Sequence, residues 1–81
     1  MLCMEERNRL CWRSRRGLLE LDLLLVPFIE QMYERLTCEQ RKAYGLLLSR
    51  EDTELLDWFG RKKEVEDEKL RQLVNLILDH D

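Results

Sequence analysis

The chain has 81 residues, of which 44% are apolar and 38% charged, and 14 Lys plus Arg stand against 17 Asp plus Glu for a formal net charge of −3. A chain this short buries only about 60% of its unfolded surface, which allows one modest core, excludes a second domain and leads us to expect a single helical domain over residues 1–81. Three Gly and one Pro exclude a disordered, low-complexity chain, while the dominance of Leu, Glu, Arg and Lys over Val, Ile and Thr favours helices over strands, so the expected fold class is all-α: a compact bundle of about five short helices.

A first helix is expected from about Leu2 to Arg13, stopped by Gly17, because glycine readily takes the left-handed conformation that ends helices. Arg7, Arg9, Arg13, Arg15 and Arg16 crowd residues 7–19, which contain no acid. On an otherwise acidic chain, such a cluster fits a local protein or anion contact better than wholesale nucleic-acid binding, whose footprint is usually a basic domain. It fits a solvated basic face as well.

The segment from Leu18 to Leu36 sets Leu21, Leu24, Leu25, Phe28, Met32 and Leu36 at helical spacing, a wide apolar stripe in which Pro27 is expected to kink or break the helix. Thr37 followed by Gln40 is a capping-box pattern that starts a third helix, running to about Leu48 with Ala43, Leu46 and Leu47 on its buried side. Ser49 or Asp52 can cap a fourth helix carrying Leu55, Leu56, Trp58 and Phe59 and ending at Gly60. The acids Glu64, Glu66, Asp67 and Glu68 suit the positive end of a last helix, in which Leu70, Leu73, Val74, Ile77 and Leu78 follow the spacing of one buried face.

Chemistry is sparse along this chain. Cys3, Cys11 and Cys38 form no CxxC pair and lack a nearby histidine for a zinc site, so they read as reduced packing residues and no metal is expected. The lone histidine, His80, stands next to the C-terminus, where fraying disqualifies it as a base or ligand. Glu20 and Asp22, two apart, point to different faces of a helix and make no acid–base pair. Phosphate loops, nucleophile elbows and paired helical histidines are missing, and no enzymatic activity is expected. Glu5 and Glu6 exclude a signal peptide, and the longest apolar stretch, Leu18 to Ile29, is broken by acids and far below the ~20 residues of a membrane helix. A cytoplasmic, reducing location without membrane insertion follows as the expectation.

What stands out is Arg15-Arg16-Gly17-Leu18-Leu19-Glu20-Leu21-Asp22. One reading is purely structural: Gly17 stops a helix, Glu20 and Asp22 occupy the favourable first turn of the next, and the arginines are solvated or pair with them. The other is that a glycine without a side chain lets a partner's backbone come close between charges of both signs.

The run Arg16-Gly17-Leu18-Leu19-Glu20 resembles the RGxxE motif of the small succinate dehydrogenase assembly factors, or flavinators. It lies in a wider pattern shared with that family, with Arg15 before it, Leu21 and Asp22 after it, then Pro27, Phe28 and Tyr33, and later Leu55, Leu56, Asp57 and Trp58. The similarity extends from Leu10 to Leu78. It implies a five-helix protein that binds the flavoprotein subunit of succinate dehydrogenase, or of fumarate reductase, and promotes covalent attachment of FAD to a histidine of that client. The factor holds no cofactor of its own; it would hold its client in the conformation that brings the reacting groups together. The resemblance marks Arg16, Gly17 and Glu20 as partner-binding positions, with Arg15 and Asp22 added as neighbours on the same surface.

A transit extension of the kind that mitochondrial members carry does not precede the first helix, so the chain resembles the bacterial form, expected as a monomer. Where relatives have proline at the start of the fourth helix, this chain has Thr53. The alternatives are a small helical DNA-binding regulator, an antitoxin-type protein, the label some bacterial relatives carry, and an enzyme that attaches flavin itself. Steeply salt-dependent DNA binding would mark the regulator, and stoichiometric flavin in the purified protein the enzyme. Because exposed charges in a turn contribute about 1 kcal/mol at most, Arg16→Ala and Glu20→Ala are expected to leave melting nearly unchanged. The last helix carries the firmest packing pattern: Leu73→Ala is expected to cost about 2 to 5 kcal/mol, and an unchanged thermal melt would contradict the assignment of its buried face.

Overall fold

The apolar stripe of the second segment becomes the centre of the molecule. In the computed structural model, which describes residues 4–80, the helices are α1 (Met4–Ser14), α2 (Leu19–Met32), α3 (Cys38–Leu48), α4 (Asp52–Phe59) and α5 (Glu68–His80). No strand occurs among the described residues, and the all-α expectation holds. Leu21, Leu25, Phe28 and Ile29 of α2 are completely buried, and α2 touches α1, α4 and α5. Leu47 and Tyr44 of α3, Leu55 of α4 and Ile77 of α5 complete the interior of one hydrophobic core.

Pro27 lies inside α2 without breaking it. Proline removes one helical donor, the one that would serve the Leu23 carbonyl, and burial of the residues on either side outweighs that local loss. The helix does not reach Leu36 as predicted. It tightens into a 3₁₀ turn at Tyr33–Arg35, after which Leu36 is extended and buried. The cause lies downstream: Thr37 must be extended to cap α3. Its N–H donates to Gln40 Oε1 at 2.8 Å while the Gln40 N–H donates to Thr37 Oγ1 at 3.1 Å, which is the predicted capping box.

On α3 the buried residues are Ala43, Tyr44, Leu47 and Leu48, whereas Leu46 is 62% exposed, against expectation. The pairs 43/47 and 44/48 centre the stripe well away from position 46. The expected caps of α4 also differ. Glu51 occupies the cap position without a side-chain bond, and Ser49 Oγ turns back to donate to the Leu46 carbonyl. Thr53 is the second residue of α4, because the helix begins at Asp52.

Helix α4 ends at Gly60 as predicted, but Gly60 is not the left-handed residue. That role falls to Arg61, at φ 58°. The Arg61 N–H donates to Trp58 O at 3.2 Å and the Lys62 N–H to Asp57 O at 2.8 Å, a Schellman closure with a side chain in the position glycine favours. Asp67 Oδ1 accepts from the Leu70 N–H at 3.1 Å and caps α5, where Leu70, Leu73, Val74 and Ile77 are buried and Leu78 is half-buried.

His80 is anchored rather than frayed: its ring meets Phe28 edge-on at 5.6 Å between centroids and its Nε2 lies 2.9 Å from Gln31 Oε1. Cys11 is half-buried against the core, but Cys38 is exposed at the start of α3 and does not pack as expected, while Cys3 and Leu2 lie outside the described residues.

A left-handed backbone costs a non-glycine residue roughly 1–2 kcal/mol, part of which the greater freedom of unfolded glycine offsets. Arg61→Gly is therefore expected to stabilise the protein by about 0.5–1 kcal/mol and to raise the melting temperature by a few degrees. A lower melting temperature would show that the Arg61 Nη2 bond to Asn75 Oδ1 outweighs the backbone strain.

Candidate functional site: the turn between the first two helices

Helix α1 stops at Ser14, a side chain with no exposure. Its hydroxyl donates to the Leu10 carbonyl at 2.7 Å and lies 2.6 Å from the Tyr44 hydroxyl, which also reaches the Leu25 carbonyl at 3.3 Å. Burial pushes the Tyr44 phenol well above its ordinary value, so it remains a neutral donor that ties α3 to α1 and α2. The chain then reverses through Gly17 at φ 84°, the left-handed region that glycine enters without penalty. A Cβ built on Gly17 meets nothing within 4 Å, so the loop backbone is open to solvent on that side.

Arg16 lies beneath this loop with a side chain only 17% exposed. Its Nε donates to Asp52 Oδ1 at 2.7 Å, Nη1 to the Leu48 carbonyl at 2.6 Å and Nη2 to the Arg50 carbonyl at 2.8 Å. The last carbonyls of a helix lack internal partners and form its negative end, so a guanidinium there satisfies and neutralises them together. The backbone of the same residue is fixed from the other side, where the Arg16 N–H donates to Asp22 Oδ1 at 2.7 Å. Arg16 thus joins the loop to α2, α3 and α4. It is not the exposed turn charge that the sequence led us to expect.

The other marked residues separate by role. Arg15, Gly17 and Glu20 are exposed, and neither the Arg15 nor the Glu20 side chain makes a hydrogen bond or ion pair with another described residue. Asp22 is half-buried with its carboxylate turned to the loop, so the two-residue spacing does separate the acids as predicted. The basic cluster is largely consumed within the fold. Arg7 donates to the Glu30 carbonyl at 3.1 Å and Arg13 to the Gly45 carbonyl at 3.0 Å, near the ends of α2 and α3. Arg9 and Arg15 make no side-chain hydrogen bond or ion pair with another described residue.

Exposed apolar side chains precede and follow the loop in the chain. Trp12 is 75% exposed, and Leu19 and Leu23, one turn apart on α2 with Glu20 beside them, are 68% and 65% exposed. Surface grooves at Thr37, Gln40, Lys69 and Gln72 and at Trp58, Arg61 and Arg71 are lined by other residues than these. No cluster of His, Cys, Asp and Glu among the described residues could hold a metal, and no described helix is long and apolar enough to cross a membrane.

From sequence Asp52 reads only as a helix cap, and its pairing with a residue 36 positions away has no local signal. The exposure of Trp12 and Leu23 was equally hidden, because an apolar residue is expected inside until the helix faces are set.

These features define a small helical protein with a braced loop beside which exposed charges and exposed apolar side chains meet solvent. Comparison with known proteins gives the family. The family profile described as flavinator of succinate dehydrogenase matches residues 8–81. A FAD assembly factor SdhE of Pseudomonas putida is 48% identical over 79 residues, covering 98% of this chain and 94% of that protein. The FAD assembly factor SdhE of Pseudomonas aeruginosa is 47% identical over 74 residues, with 91% and 88% covered, and that of Idiomarina loihiensis 37% identical over 75 residues, with 93% and 83% covered. The chain belongs to the flavinator of succinate dehydrogenase family, as the resemblance of its Arg16–Glu20 run implied.

Charge-assisted bonds from a mostly buried guanidinium contribute more than surface pairs, so Arg16→Ala is expected to destabilise by about 1–3 kcal/mol, while Arg15→Ala stays within about 0.5 kcal/mol of the parent. Thermal melts of the two variants check this directly; equal melting temperatures would contradict the brace.

Proposed function

We propose that this protein docks on the flavoprotein subunit of succinate dehydrogenase through the Arg15–Leu23 face and promotes covalent attachment of FAD to that subunit, with no catalytic group of its own. The observation that carries the reading is the coincidence of family membership with a loop whose exposed charges, Arg15 and Glu20, have no partner among the described residues. FAD is the client's cofactor. The flavoprotein of fumarate reductase is a second client of the same kind. The protein acts as a monomer in the bacterial cytoplasm.

Preorganisation supports this division of labour. A face held by Arg16 and Asp22 from beneath loses little freedom on docking, so more of each contact remains as affinity. Gly17 adds room for a client backbone, since a Cβ there would meet nothing within 4 Å among the described residues. With such a face the factor can favour the client conformation in which flavin and acceptor side chain meet, and selecting that state requires no chemistry from the factor. The DNA-binding alternative loses ground, because Arg7, Arg13 and Arg16 are spent on helix-end carbonyls in a chain of net charge −3.

The test is co-expression with the flavoprotein subunit, read as covalent flavin fluorescence of the denatured client. Glu20→Ala is expected to melt like the parent yet flavinylate poorly, since stranding a desolvated charge on the client can cost ~2 to 5 kcal/mol of binding. At Gly17 the left-handed backbone and the open side act together. Gly17→Arg is expected to lower melting and abolish flavinylation, and Gly17→Asn to recover melting without recovering flavinylation. Full flavinylation in all three variants would contradict the assignment of this face.

A further inference from the structure

Arg16 and Glu20 belong to the same short run, yet the structure gives them different physical work. Glu20 is exposed and unpaired, whereas the Arg16 guanidinium is committed to three acceptors that all lie in the segment from Leu48 to Asp52. Two of those acceptors are backbone carbonyls, which every sequence supplies. The third, Asp52 Oδ1, is the only side chain among the described residues that hydrogen-bonds the guanidinium, and the only one of the three acceptors that brings a negative charge.

From this geometry we infer that Asp52 is a positioning residue for the docking face: it holds the Arg16 side chain over the end of α3 and so fixes the height and direction of the Gly17 loop. Its side chain is 37% exposed, yet its carboxylate is turned to Arg16 at 2.7 Å instead of capping the helix that it begins. Without it, the guanidinium keeps only the two backbone carbonyls, that of Leu48 at the end of α3 and that of Arg50 in the turn that follows, and loses its one charged partner. The loop then keeps the Asp22 brace at the Arg16 N–H and the two carbonyl bonds, but no ion pair aims the Arg16 side chain. Asp52 acts on the client only through Arg16. Its removal therefore lowers the fraction of molecules that present Gly17 and Glu20 correctly, and a docking partner meets a weaker binder rather than an inactive one.

The inference rests on the docking reading, and a coupling experiment separates the two. Purified variants are titrated against a fixed amount of flavoprotein subunit and FAD, and the concentration of factor for half-maximal flavinylation is read. Asp52→Ala is expected to need about tenfold more factor, with the same plateau, when Arg16 is present and to add nothing when Arg16 is already Ala. Asp52→Asn, whose amide oxygen can still accept from Nε, is expected to recover most of the loss. A penalty of equal size in both backgrounds would overturn the inference, because it would mean that Asp52 touches the client or acts only through the end of α4. So would parent-like titration of Asp52→Ala alongside a defective Glu20→Ala, an outcome that leaves the docking face standing. An active Glu20→Ala would instead sink the docking reading itself. Circular dichroism at the assay temperature confirms that each variant is folded, and Asp52→Ser, too short to reach Nε, carries the same comparison should Asp52→Ala not fold.

Discussion

The guanidinium of Arg16 solves a problem that any short helical bundle meets where one helix ends and another begins. The last carbonyls of α3 need donors, the turn of Ser49 to Glu51 offers few, and the acid that opens α4 needs a counter-charge. One side chain from the preceding part of the chain answers both needs, through Nε to Asp52 and through Nη1 and Nη2 to the carbonyls of Leu48 and Arg50. Arg7 and Arg13 repeat the device at single carbonyls of α2 and α3. Arginine suits this work because its donors form a rigid fork that stays charged at any relevant pH.

That constraint also explains how a small protein presents a defined face. The loop between α1 and α2 has no core of its own, and a glycine at φ 84° leaves it intrinsically free. Pinning Arg16 at both its backbone and its side chain removes that freedom, so Glu20 and the apolar side chains of Leu19 and Leu23 are displayed on a fixed helix start. Beneath them the neutral Ser14–Tyr44 hydroxyl pair seals the junction of α1, α2 and α3 without burying a charge. The exposed face is thus the outer side of a rigid three-helix junction.

Much of the fold was legible in the sequence because it depends on local patterns. The capping box at Thr37, the helix stop at Gly60 and the buried face of α5 all follow from spacing within a few residues. The errors arose where tertiary contacts decide. Leu46 is exposed because its neighbours settle the packing face, His80 is held because Phe28 and Gln31 happen to lie beneath it, and Asp52 turned from cap to ion-pair partner. The residues of the loop were found by resemblance, but not their division into supports and display. Nothing local distinguishes Arg15, which is free, from Arg16, which is committed; only the position of α3 and α4 does.

The central claim is that the display side of this loop, and no other surface, meets the flavoprotein. Amide hydrogen exchange of the protein, alone and with its client, tests it most directly, since docking slows exchange where backbone is covered. The account predicts added protection at residues 12–23, with α5 and the 61–67 loop unchanged. Protection on α5 or the 61–67 loop, with none between Trp12 and Leu23, would contradict it.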